Sequence, residues 1–145
     1  MKTIFVSGTY DILHAGHIQF FKEARELGDY LVVSFCSEQN LLLYKNRRAS
    51  VPDDNKKILL EAIRYIDKVV IGSDDGGVWD FVPAFLEEKP DVLVVTTDDK
   101  HAEEKRKFCD EHKVKFVILP KNLPVATPVS TSSILENILK NGIAI

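Results

Sequence analysis

Five short apolar runs, each followed by a stretch with helical periodicity, constrain the architecture of this chain more than any other feature. The runs at Thr3 to Ser7, Tyr30 to Cys36, Lys68 to Ile71, Asp91 to Thr96 and Val114 to Leu119 are mostly continuous rather than alternating, as strands covered on both faces are. Predicted helices occupy Gly16 to Leu27, Asp53 to Tyr65, Val78 to Glu88, His101 to His112 and Thr131 to Lys140, where apolar residues recur at helical spacing. Strands separated by helices join by crossover rather than by hairpin, so the sheet is expected to be mostly parallel.

The implied class is α/β, a Rossmann-like three-layer sandwich around a mostly parallel five-stranded sheet. Right-handed crossovers, with a reversal of winding beside the first strand, bring the ends of the first and fourth strands together and open a ligand crevice there. Gly8 to His17 and Thr96 to Lys100 are expected to face it. Two longer stretches without apolar period, Tyr44 to Pro52 and Pro120 to Val129, are candidate functional loops. At 145 residues the chain fits one domain, residues 1–145, and no internal repeat is evident.

Within this frame, Gly8-Thr9-Tyr10-Asp11 breaks the opening strand and His14-Ala15-Gly16-His17 starts the first helix. Two imidazoles at i and i+3 share one side of the first turn, where unpaired amides and the helix dipole attract anions. Gly16 leaves room for a phosphate to approach the backbone. Imidazole N–H groups there are suited to follow charge onto a phosphate as it becomes five-coordinate, with no protein nucleophile. The competing reading makes His14 and His17 ordinary polar residues at a helix start.

The whole run from Gly8 to His17 resembles the G-T-F-D-x-x-H-x-G-H signature of the cytidylyltransferase branch of the nucleotidyltransferases, with Tyr10 in place of phenylalanine. That resemblance gives Gly8, Thr9, Tyr10 and Gly16 a part in the nucleotide pocket, and His14 and His17 the stabilisation of the transition state and of departing pyrophosphate. It also brings in a late motif ending in I-S-T-[ST]. Val129-Ser130-Thr131-Ser132 looks like its end, whose hydroxyls and amides would hold triphosphate oxygens; helix capping alone is the competing reading. The motif's usual arginine is absent. Lys121 stands nearest to it, carrying charge without the planar fork of arginine.

Further candidates lie outside these two motifs. Lys45, Arg47 and Arg48 fall in the first long loop, where Lys45 is expected to be catalytic through phosphate contact and the two arginines to meet phosphate or acceptor. Lys56 takes the place where relatives often have an arginine, against the alternative of a solvated helix face. Asp98, in Thr96-Thr97-Asp98-Asp99, is expected near the base or ribose, or else as a helix cap. Asp11 is placed either beside an imidazole or a metal-bound water, or in a simple turn. Asp74-Asp75-Gly76-Gly77 reads as an exposed turn, and no residue is assigned as a metal ligand. Trp79, Phe81 and Phe85 have the helical spacing of core or dimer packing.

Composition narrows the function. Net charge is −3 with a pI near 5.8, which argues against nucleic-acid binding. Cys36 and Cys109 lack metal or redox spacing and read as buried free thiols. No run reaches the roughly 20 apolar residues of a membrane span and the opening residues lack a secretory pattern, so no membrane insertion and a cytoplasmic location are expected. The resemblance implies CMP transfer from CTP, with Mg²⁺ on the triphosphate, to a small phosphorylated or phosphonylated alcohol, releasing pyrophosphate. The alternatives are ATP-dependent adenylyl transfer to a sugar phosphate or FMN, and a non-catalytic nucleotide-binding module. A homodimer is expected from the same resemblance, with Phe20 and Phe21 as candidate contacts.

Overall fold

The computed structural model describes residues 1–121 and 126–142; residues 122–125 of the second long loop, Pro124 among them, and 143–145 lie outside the described residues. Strands β1 (Thr3–Gly8), β2 (Tyr30–Phe35), β3 (Lys68–Ile71), β4 (Val92–Thr96) and β5 (Lys115–Leu119) form one sheet in the order β3-β2-β1-β4-β5. Every pairing is parallel. Helices α1 (Ala15–Arg25), α2 (Glu38–Lys45), α3 (Asp53–Glu61), α4 (Val82–Glu88), α5 (Ala102–Glu111) and α6 (Thr131–Asn141) complete the described elements, with a 3-10 turn at Gly77–Trp79.

Alternate residues of the central strands point to opposite faces, and each face has its own core. Ile4, Val6, Leu31, Val33, Val92 and Val94 pack with Phe21 and Ala24 of α1 and Leu60 of α3. Phe5, Val32 and Leu93 pack on the other side with Phe81, Phe85 and Cys109. These two apolar layers make the three-layer α/β sandwich. The chain moves outward from β1 through β2 to β3, then crosses back to put β4 against the other edge of β1. The winding therefore reverses between β1 and β4, where their C-terminal ends diverge.

Helix α2 has no counterpart in the apolar pattern. Residues 38–45 carry Leu41, Leu42 and Leu43 in succession, which is no helical period, yet they form a helix. Its signals are local: the Ser37 hydroxyl accepts from the Asn40 amide at 3.1 Å, and Asn46 ends the helix in the left-handed region, φ 48°. The helix expected over Val78 to Glu88 divides at a turn before α4, whose first turn contains Pro83. α3 is shorter than expected, closing at Ala62 with bonds to the carbonyls of Ile58 and Leu60.

The aromatic residues Phe81 and Phe85 are buried with Phe5, and Trp79 packs on Phe81 and Phe108. Phe21 is buried in the core, whereas Phe20 is half-buried and borders the crevice. Both cysteines are free and buried, and burial pushes the Cys109 thiol up to about 11. No helix among the described residues is long and apolar enough to cross a membrane.

Candidate active site

The crevice at the winding reversal is a cavity of about 590 Å³ between the ends of β1 and β4, the start of α1 and the start of α6. His14 is the N-cap of α1. Its Nδ1 accepts the Gly16 amide at 3.1 Å, and its own amide donates to Nδ1 of His17 at 3.3 Å. Both Nδ1 atoms act as acceptors, so in the neutral rings the proton resides on Nε2. Burial, with Lys121 nearby, lowers the His14 pKa. His17 is lowered to about 4 by burial first, then by His14 and Lys121. At neutral pH the site thus holds two uncharged imidazoles, each with one N–H to give.

Gly16 has no room for a side chain, because a Cβ would stand 2.9 Å from the His14 ring. Gly8 is small for a different reason: a Cβ there would lie 2.6 Å from the Tyr10 ring. Tyr10 has φ 48° and turns its ring inward, edge-on to His17 at 5.6 Å and against Phe21 at 5.0 Å. The tyrosine therefore supports His17 from below while bordering the cavity.

A second helix start meets the same space. Ser130 caps α6, its hydroxyl accepting the Ser133 amide at 3.1 Å and its amide donating to the Ser133 hydroxyl at 2.8 Å. Thr131 and Ser132 are the next residues, at positions whose amides have no partner within a helix, and both border the cavity. Two positive helix ends thus converge across the crevice. The capping role and the cavity position of Ser130 hold together.

The other candidates divide. Asp98 borders the cavity with its carboxylate paired to Lys121 at 3.1 Å and bonded to the Thr96 hydroxyl. It does not cap α5; Asp99 accepts the His101 amide instead and pairs with the buried Lys105 at 2.8 Å. Arg47 reaches the cavity rim, half exposed and 3.8 Å from Asp11. Lys45 ends α2 with its ammonium over the Tyr44 ring, and neither it nor Arg48 borders the cavity.

Lys56 is not on a solvated helix face, as it is 1% exposed. Nor does it border the cavity. Its ammonium donates to the Thr9 carbonyl at 3.0 Å and lies 3.8 Å from Asp11. Asp11 in turn accepts the Ser50 amide at 2.9 Å and the Val51 amide at 3.2 Å. Burial acts to raise the Asp11 pKa, but these amides and Lys56 outweigh it and hold the carboxyl below its ordinary value. Asp11 is a loop anchor without a hydrogen bond to either imidazole.

Gln19, Phe20 and Glu23 also border the cavity, although they belong to neither sequence motif. Their signal lies in α1 itself: positions three, four and seven beyond Gly16 follow the same helical face. Among the described residues no group of three histidine, cysteine, aspartate or glutamate side chains is placed to hold a metal ion.

A cytidylyltransferase-like family model matches residues 5–137. The chain belongs to that family. It is 34% identical over 139 residues to a FAD synthase of Archaeoglobus fulgidus, covering 92% of this chain and 95% of the relative. It is 38% identical over 109 residues to a FAD synthase of Thermococcus kodakarensis, covering 72% and 71%. Among solved structures, a lipopolysaccharide core biosynthesis protein from Thermoplasma volcanium superposes with a TM-score of 0.71 at 25% identity, covering 82% of this chain and 96% of that one.

These relatives correct the expectation of CMP transfer from CTP. FAD contains an adenylyl and not a cytidylyl group, so they agree with the ATP-dependent alternative. The expectation failed for a physical reason. The opening motif handles phosphate, which every nucleotide carries, and does not read a base. The chain is a nucleotidyltransferase; the base was the part its motif left open.

Proposed function

We propose that this nucleotidyltransferase transfers AMP from ATP to the phosphate of FMN, forming FAD and pyrophosphate. The observation that carries the phosphate chemistry is the neutral His14–His17 pair set between the starts of α1 and α6. The identity of the relatives supports the choice of adenylyl donor and flavin acceptor. A phosphate oxygen of FMN attacks the α-phosphorus of ATP, the α–β bridging bond breaks in line, and its electron pair leaves with pyrophosphate. The attacking oxygen is already anionic near pH 7, so no side chain has to remove a proton.

In this reading the Nε2–H groups of His14 and His17 donate to phosphate oxygens whose charge grows in the transition state. Neutral donors of this kind, fixed before the substrate arrives, stabilise charge without reorganising. The amides of Thr131 and Ser132 hold the departing phosphates, and Lys121 exchanges its bond with Asp98 for a phosphate oxygen. Arg47 is placed for the acceptor. Mg²⁺ enters as the ATP complex, held by phosphate oxygens and water. Among the described residues, Asp11, Glu23, Asp98 and Asp99 border the cavity without forming a group of three that could hold the ion, so it is not assigned to the protein.

The test is pyrophosphate release with each nucleoside triphosphate and Mg²⁺ against FMN, riboflavin and a set of sugar phosphates. FAD formation from ATP and FMN is expected, with riboflavin inert because it lacks the attacking phosphate. Turnover of a sugar phosphate in place of FMN moves the acceptor assignment. Tight ATP binding with no product from any acceptor is the outcome expected of a nucleotide-binding module.

A further inference from the structure

Lys56 is the most deeply buried cation among the described residues, and the proposed AMP transfer makes no use of it. Its ammonium touches the Thr9 carbonyl at 3.0 Å, lies 3.8 Å from Asp11 and stands 5.7 Å over the Phe35 ring. A lysine 1% exposed is rare without a defined partner. Thr9 and Asp11 are the two residues that flank Tyr10. Tyr10 occupies the left-handed region, which costs a residue with a Cβ free energy unless its surroundings impose it. One buried ammonium thus holds the chain on both sides of that residue.

The restraint acts in two directions. Inward, the held Tyr10 places its ring edge against His17, in the space Gly8 leaves by lacking a Cβ. Outward, Asp11 takes the amides of Ser50 and Val51 and stands 3.8 Å from Arg47, so it ties down the loop that comes after α2. We propose that Lys56 and Asp11 form a positioning couple that holds the imidazole pair and the Arg47 loop in one frame, without either residue being a catalytic group. This rests on the nucleotidyltransferase reading of the cavity for its effect on turnover, though not for its effect on His17 or the loop.

The test compares Lys56→Met, which keeps the length of the side chain and removes the ammonium, with Lys56→Arg, which keeps the charge, and with Asp11→Asn. Thermal unfolding and near-ultraviolet circular dichroism first establish that each variant is folded. The His17 titration is then followed by NMR in the free protein. His14, Tyr10 and Lys121, the groups that face His17, are the same in every variant. With Lys56→Met, His17 is expected to move from about 4 toward its ordinary 6.5 as the Tyr10 ring loosens and water enters. Trypsin cleavage after Arg47 or Arg48 is expected to accelerate about tenfold in Lys56→Met and Asp11→Asn, since both release the loop. Lys56→Arg is expected to restore much of each effect.

With ATP and FMN, kcat of Lys56→Met is expected to fall about 100-fold while the ATP KM stays within about twofold, the pattern of lost positioning rather than lost binding. A folded Lys56→Met protein with unchanged His17 titration and unchanged loop cleavage overturns the proposal. A wild-type protein that forms no FAD overturns the functional reading instead, and the two substrate-free measurements still decide the couple.

Discussion

The rings of His14 and His17 lie with centroids 3.9 Å apart and planes inclined by 34°. Two imidazolium ions at that distance would repel each other, so protonating one ring opposes protonating the other. The pair is consequently a neutral donor set, kept so by burial as well as by mutual repulsion. Replacing either ring with alanine is expected to reduce kcat for the proposed AMP transfer by about 100- to 1,000-fold, with a modest fall in melting temperature for His14 because it also caps α1. Pyrophosphate release under saturating substrate measures it.

The same burial makes stability depend on pH. The folded pKa of His17 lies near 4, below its ordinary 6.5, so the unfolded chain binds a proton more readily than the folded one. Stability is complete above pH 6.5 and is lost as pH falls toward 4, by on the order of 2 kcal/mol after allowance for partial exposure of the ring. Urea midpoints at pH 7.5 and 4.5 should reveal this loss, and His17→Asn should reduce it.

Gly8 and Tyr10 form a space-sharing pair. Gly8→Ala places a Cβ 2.6 Å from Tyr10 Cζ, and the ring has Phe21 and His17 on its other sides. The expected cost is about 1–3 kcal/mol, read from chemical denaturation. His17 should become easier to protonate in the same variant.

Lys105 and Asp99 are nearly enclosed, with side chains 9% and 15% exposed and 2.8 Å between the charged atoms. Lys105→Met leaves the carboxylate with less compensation and is expected to destabilise the fold by about 2–3 kcal/mol. The double variant Lys105→Met with Asp99→Leu should recover part of that loss, and the urea midpoint of each protein is the check.

Ser130→Ala removes the hydroxyl that accepts the Ser133 amide, costing the start of α6 about 1 kcal/mol. None of the residues of α6 is buried, so the loss should appear as faster amide hydrogen exchange along α6 rather than as a lower global melting temperature. The ATP KM should rise severalfold, because the amides of Thr131 and Ser132 are held in place by that cap.

The apolar pattern alone carries the five strands, most of the helices and the parallel sheet, and the two motifs it brackets both come to border one cavity. Continuous apolar runs encode burial on both faces, and His14 and His17 cap α1 by local bonds, whereas the Tyr10 turn before them is held by Lys56 from a distant helix. α2 escaped because its three consecutive leucines carry no period; only Ser37 and Asn46 mark its ends. Tertiary structure alone decided which cations reach the cavity. Lys45, Arg47 and Lys56 are equally charged in the sequence, yet one lies over Tyr44, one stands at the rim and one is sealed against Thr9 and Asp11. The fates of Arg47 and Lys56 depend on partners far away in the chain, 47 positions for Lys56 and Thr9. How α2 sits against the 3-10 turn and α3 against β3 sets those contacts, and no local pattern encodes them.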